Sequence, residues 1–335
     1  MRLRPKSPNA ASTAMVGASP LADGLRRPLI TTTAARFRGF ALVELLAALA
    51  ITSLLGAALF RLVDRSQRFA QGIALMADER AQISVAQFAV EGELLGIAAL
   101  DGDLLAGSDS AIAYLGNVGN ALVCTRAAAT VDFAAPILAS GVTLTWWNTA
   151  PQPGDSVMLF DEGASPGASD DRWFHTAIAA IGTLPNACLH TAYTDSIADA
   201  GSIGWRLTAA QPLPATIQAG AVARIARPAR IALYRSSGEW MMGWTEWNAA
   251  AASWNVIQPV AGPLLPYARP GMTSGLSFGW RDSLGAAVVP APGATARSVE
   301  LGIGAVTRRA VRVDGVAWGG RRDSVTKRIP LRNTP

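Results

Sequence analysis

The sequence predicts an α+β protein in which one long N-terminal helix packs against a mostly antiparallel, β-rich head. An apolar run of 21 residues, from Phe40 to Phe60, is long enough for a membrane-spanning helix. An apolar stripe at helical spacing continues beyond that run as far as Ile97. From about residue 100, short apolar segments alternate with breaks rich in glycine and proline, which is typical of strands joined by turns.

The first 39 residues form a basic leader. They carry seven Lys or Arg and one Asp, a net charge of +6, whereas residues 40–335 carry 22 basic and 23 acidic residues, a net charge of −1. The high sequence pI of about 9.7 is therefore due to the basic residues of the leader. The positive-inside rule places the leader in the cytoplasm. A nucleic-acid partner is not expected of the rest. Met1 and Met15 are both open as the true start.

The apolar run carries one charge, Glu44, and two hydroxyls, Thr52 and Ser53. At ~1.5 Å rise per residue it spans about 30 Å, the thickness of the hydrocarbon core of a bilayer. A carboxylate in such a segment costs roughly 2.5–3.5 kcal/mol on insertion scales and therefore indicates a function.

This segment resembles the class III signal of type IV pilin-like proteins, in which a basic leader and a Gly precede Phe-x-Leu-x-Glu and an unbroken apolar helix. The matching residues are Gly39, Phe40, Leu42, Val43, Glu44 and Leu45. The resemblance implies that a prepilin peptidase cuts between Gly39 and Phe40 and methylates the Phe40 amine. It also implies that Glu44 pairs, within the membrane, with the N-terminal amine of a neighbouring subunit.

The large head extends the resemblance to minor pilins of the PilW-like kind or type II secretion pseudopilins of the GspJ/PulJ-like kind. The function implied is non-enzymatic: a structural subunit that helps to initiate or cap assembly of a type IV pilus or secretion filament. The implied partners are the prepilin peptidase, other pilins or pseudopilins, the inner-membrane assembly platform and the lipid bilayer. The chain would cross the inner membrane once, with a periplasmic head, before it enters the filament.

Other interpretations stay open at this point. The apolar run also fits an ordinary signal anchor, and less well a cleavable secretory segment, for which it is long. A filament-tip adhesin, a DNA-uptake subunit and a membrane-anchored binding protein are the functional alternatives.

The helix is predicted over residues 40–97, with 40–60 transmembrane and 61–97 amphipathic. No proline occurs between Pro28 and Pro136, and no linker separates the two halves. The apolar stripe of this amphipathic helix consists of Leu62, Phe69, Ile73, Met76, Ile83, Val90, Leu94 and Ile97.

The head is predicted over residues 98–335, as either one domain or two lobes. A hairpin is expected within 231–244, turned at Ser236–Gly238. The predicted strands are 111–115, 121–125, 142–147, 156–160, 173–181, 203–207, 222–226, 231–235, 276–281, 299–306 and 310–313.

The two cysteines, Cys124 and Cys188, lie beyond the membrane run, and an isolated pair in an exported domain favours one disulfide. Two free buried thiols are the alternative. A zinc site is disfavoured because His175 and His190 lack the close-pair spacing of metal ligands. No catalytic motif of the Gly-x-Ser-x-Gly or His-Glu-x-x-His type occurs, so no catalytic residue, metal or cofactor is predicted.

Two features of the head allow a binding role. Asp161, Glu162, Asp170 and Asp171 flank a flexible loop and offer oxygen ligands for calcium, although their spacing favours a solvated acidic tip. A tryptophan-rich segment carries Trp240, Met242 and Trp244 on one face of a strand and Met241 and Trp247 on the other, with Trp254 nearby. One set is expected in the core, and the other in a contact surface for protein or glycan.

Overall fold

The computed structural model describes residues 42–165, 167, 169–269, 272–290, 295–308, 311–313, 316–318, 320 and 322–332. The chain divides into two compact units, Met1–Phe60 and Arg61–Pro335. The predicted leader, residues 1–39, and the following Phe40 lie outside the described residues.

One helix, α1, extends over Leu42–Leu94 without interruption. It ends in tight turns, in which the N–H of Gly96 donates to the Glu93 carbonyl at 3.1 Å and that of Ile97 to the Leu94 carbonyl at 3.1 Å. The predicted long helix is thus confirmed over the described residues. Its end falls three residues before Ile97.

The head is built from antiparallel strands, which confirms the predicted fold class. Their bounds are β1 Leu104–Gly107, β2 Ala111–Arg126, β3 Thr130–Phe133, β4 Trp146–Trp147, β5 Ser156–Asp161, β6 Arg172–Pro185, β7 Ile203–Ala209, β8 Val222–Ser236, β9 Glu239–Asn248, β10 Ser253–Trp254, β11 Gln258–Leu264, β12 Leu276–Arg281, β13 Ser298–Val306, β14 Val311–Val313, β15 Val316–Trp318 and β16 Arg322–Pro330.

Among the described residues, fourteen strands form one sheet. Its main path is β1-β2-β3-β7-β6-β5-β8-β9-β11-β13-β12; β4 pairs with β2, β10 with β9 and β16 with β13. Strands β2 and β8 also pair directly along most of their length. Strands β14 and β15 form a separate pair.

Two pairs of predicted strands are single strands in the structure. Segments 111–115 and 121–125 both belong to β2, and segments 222–226 and 231–235 both belong to β8. Gly116, Gly119 and Pro228 lie between these segments, and β2 and β8 stay paired across them with a bulge between Asn117 and Gly119. The prediction for 142–147 was too long, since only Trp146–Trp147 is a strand.

The predicted hairpin is confirmed, with a two-residue turn at Ser237 and Gly238 between β8 and β9. Both turn residues have positive φ, 50° and 88°. That geometry matches the type I′ turn, whose twist suits paired strands.

The core consists of two main apolar clusters that share one sheet face. Cluster A joins α1 to the β9, β11, β12, β13 and β16 region, and cluster B lies between β3, β5, β6 and β7. Along β8, Ala223 and Ile225 belong to cluster B, and Ala229 and Ile231 to cluster A. Since these alternate residues point to one side of the strand, both clusters pack on the same face. The fourteen-stranded sheet therefore carries two apolar clusters on one face.

A buried ion pair separates these clusters. Arg227, between them on β8, donates through Nε to Asp155 Oδ1 at 2.7 Å and through Nη2 to Asp155 Oδ2 at 2.8 Å. Its Nη1 lies 3.4 Å from Glu246 Oε2, and Nη2 also donates to the Ala150 carbonyl at 3.2 Å. Arg227 is 8% exposed and Asp155 2%.

The disulfide expected of the two cysteines is present. It joins Cys124 of β2 to Cys188 of the loop after β6, with a Cα–Cα distance of 5.2 Å and a sequence separation of 64. The bridge packs with Ala134 and Ala187 in a small apolar cluster of its own. It thereby fixes the loop after β6 to the sheet.

Substitution of Arg227 by Met should lower the free energy of unfolding by about 3–5 kcal/mol, because it leaves Asp155 buried without its bidentate partner. Urea unfolding of the detergent-solubilised chain, followed by tryptophan fluorescence, measures the change. The matched control is Arg281→Met, which removes a half-exposed pair with Glu300 and should cost less than about 1 kcal/mol. Equal losses in the two variants would contradict the structural role of the buried pair.

Candidate functional site

The first candidate site is the described part of the N-terminal unit, the start of α1 from Leu42 to Phe60. Its large apolar side chains are all more than half exposed and lie on every side of the helix. They are Leu42, Val43, Leu45, Leu46, Leu49, Ile51, Leu54, Leu55, Leu59 and Phe60. Among the described residues, α1 is the one helix long and apolar enough to cross a membrane. A helix that is apolar all round needs lipid or other apolar helices around it.

The two hydroxyls of this segment are satisfied within the helix. Thr52 Oγ1 donates to the Ala48 carbonyl at 2.7 Å, and Ser53 Oγ donates to the Ala50 carbonyl at 2.8 Å. Such bonds remove the polar cost of these side chains in a medium without water.

Glu44 differs from the two hydroxyl residues because it is the single charged residue between Leu42 and Phe60. It lies in the first turn of α1 and is exposed. Negative charge at this end of a helix is favoured by the helix dipole, by roughly 0.3–1 kcal/mol. That is less than the cost of placing a carboxylate in hydrocarbon, so a cation from a neighbouring molecule would stabilise the segment further.

The part of α1 in the second unit packs on cluster A with one face. Ile83, Ala86, Val90 and Leu94 are buried there, as is Ile97 just beyond the helix. The predicted apolar stripe is buried from Ile83 onward, whereas its members Leu62, Phe69 and Ile73 are exposed.

Three polar contacts orient this helix on the sheet. Gln82 Oε1 accepts from the Gly262 N–H at 3.0 Å, the Lys327 Nζ donates to both Glu91 oxygens at 2.6 and 2.8 Å, and Arg80 lies 3.4 Å from Asp323. The hydrogen bond from Lys327 lowers the pKa of Glu91. Because the two ion pairs are partly exposed, they add little stability, but they select one rotation of the helix.

The opposite face of the same helical stretch presents apolar side chains to solvent. Phe88 is 82% exposed, and Val85 and Leu95 are about half exposed. Gly92 lies on this side, and a Cβ added to it would meet nothing within 4 Å. The face can therefore receive another helix closely.

Two titratable side chains, Glu93 of α1 and Tyr114 of β2, lie where the helix packs on the sheet. Burial raises the pKa of Glu93 above its ordinary value of 4.5, the Tyr114 hydroxyl lowers it, and repulsion from Glu246 raises it further. Tyr114 is itself buried in cluster A, and burial raises its pKa as well. The α1–sheet contact therefore holds Glu93 in an environment that disfavours its ionised form.

The acidic loop is used for internal bonding. Asp170 Oδ2 accepts from the N–H groups of Ala164 and Ser165 at 2.8 and 2.9 Å, bonds that lower the pKa of Asp170. Asp161 is buried; burial raises its pKa, but hydrogen bonds from Thr216, Gly163 and Arg172 outweigh that effect and lower it. No group of three or more potential metal ligands occurs among the described residues.

The tryptophan segment divides as alternation requires. Met242 is buried in cluster A and Trp244 packs against that cluster, so this face belongs to the core. On the other face Trp247 stacks edge-on against Trp254, with ring centroids 5.6 Å apart. His175 lies exposed on β6, and His190 follows the disulfide in the loop.

Comparison with known proteins supports the first candidate site. Residues 35–60 match the family model of the prokaryotic N-terminal methylation motif. No curated protein and no solved structure matches this chain. The chain thus carries a type IV pilin-like signal, which implies processing by a prepilin peptidase and assembly with other pilins in general. The motif belongs to structural rather than enzymatic proteins, and with the apolar helix it is consistent with membrane anchoring.

The Glu93 contact generates a pH prediction with a defined sign. The Glu93 carboxyl group binds its proton more tightly in the native chain than in the unfolded chain. The free energy of unfolding therefore declines as the pH rises from about 4.5 through the raised pKa of the native state. Glu93→Gln should therefore be more stable than the natural chain at pH 7, with the advantage vanishing below about pH 4. Urea unfolding across this pH range measures it.

Glu91→Gln serves as a control of opposite sign. Because Lys327 lowers the pKa of Glu91, this variant should be the less stable one at neutral pH, and the difference should fade in acid. An advantage of Glu93→Gln that is the same at every pH would contradict ionisation as its cause.

Proposed function

We propose that the chain is a minor pilin or pseudopilin, a non-enzymatic subunit that helps to initiate or cap a type IV pilus or a type II secretion filament. The observation that carries the proposal is Glu44, the single carboxylate in the segment Leu42–Phe60 of α1, whose large apolar side chains are exposed on all sides. The matched methylation motif covers the same residues.

The mechanism begins in the membrane. The leader stays in the cytoplasm, the helix spans the bilayer and a prepilin peptidase cuts between Gly39 and Phe40. This cut leaves an ammonium group on Phe40. Pairing Glu44 with the ammonium of the next subunit neutralises both groups in hydrocarbon, so assembly relieves the cost of each.

The second half of α1 supplies the contact outside the bilayer. Phe88, Val85 and Leu95 form an exposed apolar strip, and Gly92 leaves room beside it. The equivalent helices of neighbouring subunits are the partners that such a strip fits, because packing side by side in a filament buries it.

The head supports placement in an oxidising compartment and a role at few positions per filament. Its Cys124–Cys188 bridge is of the kind that persists in the periplasm or outside the cell. A head with two apolar clusters is bulky for a subunit repeated along a shaft, which favours a place at or near the tip.

The processing step predicts a defined mass. In membranes with a co-expressed prepilin peptidase, the chain should begin at Phe40 and carry one added methyl group; without the peptidase it should keep Arg36–Gly39. Intact and N-terminal peptide mass spectrometry distinguishes the two. A chain that retains Arg36–Gly39 in both membranes would remove the basis of the proposal.

The assembly step predicts a separation of functions at Glu44. Glu44→Gln should leave membrane insertion and cleavage intact but reduce incorporation into sheared filaments by at least about tenfold, since ~1.4 kcal/mol of lost pairing suffices. Immunoblots of membrane and filament fractions measure both steps.

Thr52→Val is the matched control for that experiment, because the hydroxyl it removes bonds only to the Ala48 carbonyl among the described contacts. It should enter filaments like the natural chain. If Glu44→Gln did the same, charge pairing would not be the registering interaction.

A further inference from the structure

The head has a second surface of interest on the sheet face opposite clusters A and B. In an antiparallel sheet with one packed face, the other is normally polar. Here the outward positions of three adjacent strands carry Val222 on β8, Met158 and Phe160 on β5, and Trp173 on β6. The register pairs Phe160 directly with Trp173, so their side chains share this face.

These four side chains line a cavity of about 370 Å³, a volume within the range of ~300–1,000 Å³ that is typical of ligand sites. The Phe160 and Trp173 rings meet edge to face, with centroids 5.5 Å apart. Met158 is buried beneath them, against Leu115 and Ala226. The floor is thus a firm apolar platform that is open to solvent.

Planar polar groups surround the platform. Asn120, Asp101, Arg224 and Arg332 line the same cavity. Arg224 is held in place because its Nη1 donates to Asp103 Oδ2 at 2.7 Å, an oxygen that also accepts the Ala98 N–H at 2.8 Å. Amide, carboxylate and guanidinium groups together offer both donors and acceptors in fixed planes.

A further aromatic ring extends this face beyond the cavity. Trp146 of β4 pairs in register with Asn120, so its side chain lies on the same side of the sheet. It is 50% exposed. Aromatic surface therefore occurs on both sides of the polar groups, across the strands β4, β2, β8, β5 and β6.

The cavity and the neighbouring Trp146 together form a groove, and its charge distinguishes between possible ligands. The guanidiniums of Arg224 and Arg332 are balanced by the carboxylates of Asp101 and Asp103, so the site is close to neutral. Single-stranded nucleic acid needs aromatic rings in a groove with surplus positive charge, which is not found here. A peptide added as a strand needs a free sheet edge, whereas β8 and β5 are internal strands.

We propose that this groove binds a neutral oligosaccharide. A pyranose ring has an apolar C–H face, which fits the Trp173 and Phe160 platform, and equatorial hydroxyls that both donate and accept. Those hydroxyls fit the amide of Asn120 and the guanidiniums of Arg224 and Arg332. Trp146 would receive a second ring. The proposal is independent of filament assembly and gives the head a recognition role of its own.

The test uses the full chain in phosphatidylcholine nanodiscs, so that no glycoside detergent competes. The probes are neutral trisaccharides of glucose, galactose, mannose and N-acetylglucosamine, with dodecameric oligodeoxythymidine as the anionic comparison. Calorimetry and tryptophan fluorescence measure binding. At least one trisaccharide should bind saturably, with an affinity that is unchanged between about 50 and about 500 mM NaCl, because no net charge is neutralised.

Trp173→Ala should weaken that binding by at least about tenfold, and Trp254→Ala, which removes a tryptophan outside the groove, should leave it unchanged. Asn120→Ala alters an exposed side chain and should weaken binding several-fold, so the test stands even if Trp173→Ala fails to fold. Binding of none of the trisaccharides would overturn the proposal. So would sugar binding unaffected by both groove variants, or salt-sensitive binding of the oligodeoxythymidine alone.

Discussion

The pairing of β2 with β8 is the contact on which the rest of the head depends. It runs from Ala111 with Ala232 to Leu122 with Val222, and the two faces it creates serve different purposes. One face carries both apolar clusters, with the Arg227–Asp155 pair between them. The other carries the groove with Arg224 and Asn120. Since alternate residues of a strand point to opposite sides, one stretch of β8 supplies the core, the buried ion pair and the groove.

A second constraint acts on α1. The large apolar side chains between Leu42 and Phe60 are exposed. Within the second unit, the part of α1 beyond Glu79 buries one stripe on cluster A and exposes another. Burial of Ile83, Val90 and Leu94 stabilises the packing of the helix on the sheet, because each buried aliphatic side chain contributes roughly 1.5–3 kcal/mol to the free energy of unfolding. The exposed side remains available to other molecules. A subunit that joins others through its helix requires both a buried face, which holds the helix on the sheet, and an exposed face, which contacts the other subunits.

The groove and the helix place two kinds of recognition in different parts of one chain. The helix offers an apolar surface with one carboxylate, a combination that suits lipid and other helices. The groove offers rings and planar polar groups with balanced charge, a combination that suits a neutral polyhydroxylated ligand. A bulky head that binds such a ligand would have a use at the end of a filament, where it is not covered by further subunits.

The amino-acid sequence was sufficient to predict the long helix, the position of Glu44, the antiparallel character of the head and the β8–β9 hairpin. These follow from periodicity, charge and turn residues, which act over a few neighbouring positions. It also favoured the Cys124–Cys188 bridge, since only two cysteines were present. The motif at 35–60 was readable for the same local reason.

Contacts between segments that are distant in the sequence determine which of these apolar patterns are buried and which strands are continuous. The exposed Leu62, Phe69 and Ile73 follow the same helical spacing as the buried Ile83 and Val90. Such spacing identifies an apolar face of a helix, but it does not show whether a sheet covers that face. Continuity of β2 and β8 through glycine and proline depended on a partner strand. The groove joins Asn120, Met158, Trp173 and Arg224 from four separate strands. The one sequence signal for this groove is the run Val157–Phe160, which is apolar on both faces of its strand. The groove itself could not be predicted, because strand register sets which side chains meet and no local pattern encodes it.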